Sequence, residues 1–380
     1  MAYMDLHCDT LQVFAGVGGS LYENHMAVDV KHLRRAGCLA QFFAVWLPDP
    51  ETKDRLLGRK YRETEPESGA SYGAGTEKSE LSKSKSENGD RRSSNLSCGP
   101  EPGAEIRPEL LEELSNEEWD DRYFDLLTDG FYRTLREHGE KLAFAGNGTD
   151  LLENRKAGKL SAFLSLEDGR LVRGSHERLR HLYDKGVRLI TLTWNHDNCF
   201  GRANYREEPF GNRESGLTAF GKEAVTQMEA LGMLTDVSHL SDEGFFDAAD
   251  CIRGPFVASH SNARALCNCS RNLTDEMLHI LGDHGGAAGL NFAPSFLRKN
   301  SLESRVSDLA RHAAHMVKKG GEEVLCLGTD FDGIGGDLEI DGPEKMALLW
   351  DALKRAGFTE RQIELVQWGN AQRVIREAFK

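Results

Sequence analysis

Eight short apolar runs rich in β-formers punctuate this chain: Tyr3–His7, Cys38–Trp46, Ala162–Glu167, Val187–Trp194, Met233–Ser238, Pro255–His260, Ala287–Phe292 and Glu323–Asp330. Between them lie stretches with apolar residues at three- and four-residue spacing, such as "SHERLRHLYDKG", "GKEAVTQMEALG", "SDEGFFDAAD", "TDEMLHILGDHG" and "ESRVSDLARHAAHMVKKGG". Several begin at Ser, Thr or Asp, whose side chains cap a first helical turn, and several stop at Gly, which accepts the left-handed backbone that ends a helix. Strand alternating with helix means parallel strands, because a parallel neighbour is reached only by a crossover. Eight such units predict an α/β fold, a closed (β/α)8 barrel of the TIM type, with its chemistry at the C-terminal strand ends. The alternative, a doubly wound open sheet, calls for a glycine-rich phosphate turn after an early strand, and the sequence has none.

At 380 residues the chain is long enough for one such barrel, and 1–380 is read as a single domain. Residues 58–107 interrupt it. They are rich in Ser, Gly, Glu and Lys and nearly free of large apolar side chains, so they cannot offset the entropy of ordering and read as a low-complexity loop insertion. A formal net charge of -14 argues against nucleic-acid binding, which needs clustered Lys and Arg. No apolar run reaches the length of a membrane span, and the N-terminus lacks a basic-then-apolar export pattern, so a cytoplasmic setting without a membrane partner is expected. The eight cysteines are scattered, which suits reduced thiols rather than a disulfide framework. A homo-oligomer is compatible with this composition.

The strand ends collect a specific set of polar residues. His7 and Asp9, two apart and so on one face of extended chain, follow the first run. Glu167 closes the third, His239 follows the fifth, His260 ends the sixth and Asp330 ends the eighth. Any one of them alone is more often a cap or a satisfied polar residue, but five strand ends converging on one mouth are hard to assign to accident. Mixed nitrogen and oxygen donors suit Zn²⁺ and related ions rather than Ca²⁺. "DFDGIGGD" has the look of a calcium loop, yet Ile334 stands at a ligand position and no Glu closes it. Five ligands exceed the need of one four-coordinate catalytic ion. Two divalent ions sharing Glu167 are therefore expected, generating a bound hydroxide at neutral pH and polarising a carbonyl, with Asp330 as proton shuttle.

Taken in order, H-x-D, "LSLEDG", "LTWN", "DVSH", "ASHSNAR", "SRN" and "GTDFDG" resemble the motif series of the membrane dipeptidase (renal dipeptidase) family of zinc metallopeptidases. The resemblance covers essentially the whole chain apart from the insertion. It implies a dipeptide substrate and a binuclear-metal dipeptidase activity. It further implies His7, Asp9 and Glu167 as ligands of one zinc, and Glu167, His239 and His260 as ligands of the other. Asp330 resembles the acid beside the metal-bound water, and Arg271 the arginine whose guanidinium fork holds the substrate's free carboxylate. One departure stands out: Trp194 occupies the place of a substrate-contacting histidine after the fourth strand. Asn195, donating to the developing oxyanion, or His196, swinging inward, are candidates for that task, and His196 as an ordinary loop residue is the third reading. Two rivals remain. A lactonase or deaminase of the same barrel usually opens with H-x-H and bridges its metals through a modified lysine on the fourth strand, absent from "VRLITLTWN". A catalytically weak metal-binding relative has Trp194 as its sole support.

Overall fold

The computed structural model describes residues 2–15, 19–49, 52–53, 114–204 and 216–379, and the insertion expected at 58–107 lies outside them. Eight strands pair in parallel, each with the next in sequence. They are β1 (Tyr3–Cys8), β2 (Cys38–Trp46), β3 (Leu160–Glu167), β4 (Val187–Thr191), β5 (Leu234–Asp236), β6 (Val257–Ala258), β7 (Ala287–Leu290) and β8 (Leu325–Leu327). Between β8 and β1 the ring is joined by a bridge from Cys8 to Phe331, and the Asp9 N–H donates to the Phe331 carbonyl at 3.0 Å. The predicted (β/α)8 barrel is thus the fold. Nearly all strand residues are buried, on both faces, which explains why the strands read as largely apolar runs with a few buried polar residues such as Asp5, His7 and Gln41 among them. From β4 onward the sequence runs outlast the strands by two or three residues, because the chain leaves the ladder where the mouth begins.

One buried cluster takes at least one residue from all eight strands, including Met4, Phe42, Phe163, Leu189, Val257 and Cys326, so it must fill the barrel interior. Ala371, Val374, Ile375 and Phe379 belong to the same cluster, which makes the helix Asn370–Ala378 a plug for the end opposite the mouth. On β3 the interior row runs Phe163, Ser165, Glu167, and on β2 it runs Phe42, Ala44, Trp46. The two-residue period therefore carries Glu167 and its register partner Trp46 up to the mouth. Gly289 and Gly328 let β7 and β8 close on β6, since a Cβ on either would stand 1.8 or 1.7 Å from the Ser259 carbonyl oxygen. A three-residue strand, Leu142–Phe144, adds to the edge of β3, and a helix over Asn116–Glu137, opened by a Ser115/Glu118 capping box, packs on the outer core.

Candidate active site

The residues just past the strand ends converge at the mouth. His7 Nε2 stands 3.6 Å from Asp9 Oδ2, 3.5 Å from Glu167 Oε2 and 3.8 Å from Asp330 Oδ1. On the other side of Glu167, Oε1 lies 3.1 Å from His239 Nε2 and 3.5 Å from His260 Nε2. One carboxylate thus stands between two histidine groups, one oxygen turned to each. His7, Glu167 and His260 form one group with a ligand atom from each within 4.8 Å of the others, and His7, Asp9 and Asp330 form a second. The five expected ligands and Asp330 are in one place.

Neighbouring hydrogen bonds fix how the imidazoles face. Ser259 Oγ donates to Asp236 Oδ2 at 2.5 Å, so it accepts from His260 Nδ1 at 2.7 Å. Asn195 Oδ1 lies 3.1 Å from His239 Nδ1 and accepts its proton. With both Nδ1 positions protonated, each neutral ring presents a bare lone pair at Nε2. Asp236 also accepts from Thr191 Oγ1 and from the N–H groups of Ser238 and Ser259, and so ties the ends of β4, β5 and β6 together. Asn291, one residue past β7, donates to Asp330 Oδ2 at 2.8 Å and to the His260 carbonyl at 3.2 Å. Sequence reasoning passed over both residues, although Asn291 in "GLNFAPS" sits at a strand end like the others. His239 (φ 67°) and Asp330 (φ 62°) are held in the left-handed region, where a non-glycine residue persists only if its surroundings over-determine it.

The electrostatics describe a donor set suited to cations. Burial, and then the charge of Arg271, bring His239 down to about 4. Burial, and then His7, hold His260 well below the ordinary histidine value. Burial raises Asp330 to about 8, and the charges of Asp9 and Glu167 reinforce it against the pull of His7. Burial and Glu167 likewise raise Asp9 to about 6. Burial works against an ionised Glu167, yet its histidine neighbours, His7 foremost, hold it well below the usual carboxylate range. His7 itself is raised, the carboxylates of Glu167 and Asp9 outweighing burial. Two neutral imidazoles then aim lone pairs at one anionic oxygen, their Nε2 atoms 3.1 Å apart. Acceptors gather this way around a shared cation. Both ring nitrogens of His7 and Asp9 Oδ1 are buried without a hydrogen-bond partner. Space is kept by Gly333, where a Cβ would meet Asp9 Oδ2 at 2.0 Å and Asp330 Oδ1 at 2.9 Å. These residues fit divalent metal ions.

A cavity of about 390 Å³ opens above the cluster. Asp9, Glu167, His239 and Asp330 line its floor, and Arg271, Trp46, Trp194 and Asn195 line its walls. Arg271 is only 8% exposed, its Nε has no partner, and its longest-reaching nitrogens make bonds of 3.3 Å to Ser261 Oγ and 3.4 Å to the His260 carbonyl. Its face rests on Phe296, 5.2 Å from the ring centre. His196 is exposed and is not among the lining residues; Trp194 and Asn195 are.

Several known proteins are similar to this chain in sequence or in fold. The profile described as membrane dipeptidase (peptidase family M19) matches residues 1–380. An uncharacterized protein in the pqqA 5' region of Klebsiella pneumoniae is 35% identical over 212 residues, 54% of this chain and 78% of that protein. An uncharacterized dipeptidase of Schizosaccharomyces pombe is 37% identical over 249 residues, covering 64% of this chain and 60% of its own length. Dipeptidase 3 of Rattus norvegicus is 32% identical over 221 residues, 58% of this chain and 45% of that protein. Among solved structures, a Rhodobacter sphaeroides metallopeptidase liganded with a phosphinate mimic of L-Ala-D-Ala superposes with a TM-score of 0.76 at 20% identity, covering 100% of this chain and 99% of that one. A probable dipeptidase from Pseudomonas aeruginosa gives 0.75 at 18% identity, over 100% and 95% of the two chains. Among the described residues no helix is long and apolar enough to cross a membrane. On the whole-length profile match, the chain belongs to the membrane dipeptidase family, peptidase family M19.

Proposed function

We propose that this chain is a binuclear metallodipeptidase that cuts dipeptides with a free C-terminal carboxylate. The observation that carries the reading is Arg271, a buried guanidinium on the wall of a cavity floored by the carboxylate-and-histidine cluster. A desolvated arginine fork favours a planar anion, and the α-carboxylate of a small peptide is one. Two divalent ions, zinc on the strength of the mixed donors, would be held by His7, Asp9 and Glu167 and by Glu167, His239 and His260, and would lend Lewis acidity that acidifies a water and polarises the scissile carbonyl. The remaining work falls to the chain's own groups. Arg271 fixes the carboxylate end, and the amide nitrogen of Asn195 is available to the carbonyl oxygen once its own oxygen is engaged by His239. Asn291 occupies one oxygen of Asp330, which leaves Oδ1 to take a proton and return it to the departing amine.

Steady-state kinetics on free, C-amidated and N-acetylated forms of one dipeptide test this. The free form should exceed the amidated form by about a hundredfold in kcat/KM, the scale of a lost charge-assisted bidentate contact. Equal turnover of the two would remove the carboxylate anchor.

A further inference from the structure

Trp46 and Trp194 meet edge to face, their ring centres 5.2 Å apart at 74°, and both line the cavity. Trp194 also lies beside His239, ring centres 6.3 Å apart. The strand order says where this pair stands relative to Arg271. Trp46 ends β2 and Trp194 follows β4, so the pair brackets β3. Arg271 lies between β6 and β7, and Phe296 follows β7. In an eight-membered ring β3 and β7 face each other, which sets the two tryptophans across the mouth from the guanidinium, with Glu167 and the histidines between. A carboxylate held at Arg271 therefore points the other end of the ligand at the tryptophans. Two extended residues span about 7 Å, so the N-terminal residue lies on the far side of the scissile bond from Arg271.

From this juxtaposition we propose that Trp46 and Trp194 form the pocket for the side chain of the substrate's N-terminal residue and select a bulky apolar one. The inference rests on the dipeptidase reading and names the substrate class within it. Indole surfaces lose contact with water when an aliphatic or aromatic side chain covers them, and offer nothing comparable to Gly. The acidic lining residues Asp9, Asp49 and Asp332 raise the competing reading that a cationic side chain is preferred. Asp49 is engaged through Oδ1 with the Thr52 N–H, and Asp332 through both oxygens with Thr10 and with the N–H groups of Ala27 and Val28. Asp9 stands in the candidate metal cluster, 3.6 Å from His7, so the aromatic pair is the surface assigned to the side chain, and the Lys substrate tests the cationic alternative.

The metal-loaded enzyme is assayed with X-Ala dipeptides, where X is Gly, Ala, Leu, Phe, Lys or Asp, and with the reversed Ala-X series. In the wild type kcat/KM should rise by at least about tenfold from Gly-Ala to Leu-Ala or Phe-Ala, the discrimination ordinary for a hydrophobic pocket. In Trp194→Ala and Trp46→Phe the Phe-Ala to Gly-Ala ratio should contract, most in Trp194→Ala, while the Ala-Phe to Ala-Gly ratio stays put. A flat X-Ala profile, or Lys-Ala above Leu-Ala, overturns the inference while leaving the dipeptidase reading intact. Contraction of both ratios alike would mark a general disturbance of the site and overturn it as well. Hydrolysis of no dipeptide in either series overturns the dipeptidase reading, and the pocket with it.

Discussion

Each oxygen of Glu167 serves a different histidine group, so a change at this one side chain reaches both halves of the cluster. Glu167→Gln keeps the shape but replaces one oxygen by an N–H donor. Purified variant protein should carry well under half of the roughly two metal equivalents expected of a two-metal site, as read by elemental analysis. Retention of two equivalents would show that the carboxylate does not bridge. Arg271→Met acts on the substrate instead. It should keep the metals yet lose about 2 kcal/mol of discrimination between free and amidated dipeptides, the range of a hydrogen bond to a charged group; unchanged discrimination would leave Arg271 a structural residue. That the candidate ligands would meet was legible in the sequence because each lies at or just past a strand end, and the barrel makes all strand ends neighbours. Asn291 shares that address but is a neutral amide, and nothing in a lone Asn announces that it will hold an acid. Asp236 was hidden differently: its partners come from three strands, and such convergence has no local signature.

At the scale of elements, the segment joining β6 to His260 carries the orientation of the imidazole. Ser259→Ala would remove the acceptor of the His260 Nδ1 proton while sparing the apolar interior. Metal affinity, measured by competition with a chelator, should fall by about 10–100-fold, as is usual when the partner of a ligating histidine is lost. An unchanged affinity would show that the hydroxyl does not set the tautomer. Packing between strands has its own test. Gly328→Ala pushes a methyl into the Ser259 carbonyl and should destabilise by about 1–3 kcal/mol, visible as a lowered Tm. The strands were readable because burial on both faces leaves largely apolar runs. The Leu142–Phe144 strand is too short to leave a pattern, and the helix that plugs the barrel reads in sequence only as a charged amphipathic end.

Taken whole, the metal-free molecule holds more protons at its mouth than the unfolded chain does near neutrality. Asp330 at about 8, and His7 above its ordinary value, both stay protonated in the folded state where the unfolded chain has released the proton. Groups raised on folding contribute stability that fades as pH climbs through the raised value. His239 and His260, shifted downward, act in the opposite sense, but only below about 6.5, the free histidine value. From pH 6.5 to 8.5 the metal-free protein should therefore lose on the order of 1 kcal/mol per pH unit. A saturating divalent metal, favouring the deprotonated ligands, should flatten that slope in thermal melts; a metal-free Tm constant over the range would contradict it. The closure of the ring has a further consequence for how the protein is made. Asp5 on β1 accepts from Thr329 N–H and Oγ1 beyond β8, partners 324 residues away. At a synthesis rate of about 5–20 residues per second, the first strand waits on the order of tens of seconds at the ribosome before its last neighbour exists. Asp9 and Asp330 cannot face each other until then, so a nascent chain stalled short of β8 would carry all five candidate ligands but lack Asp330 and the closed mouth that sets it beside them.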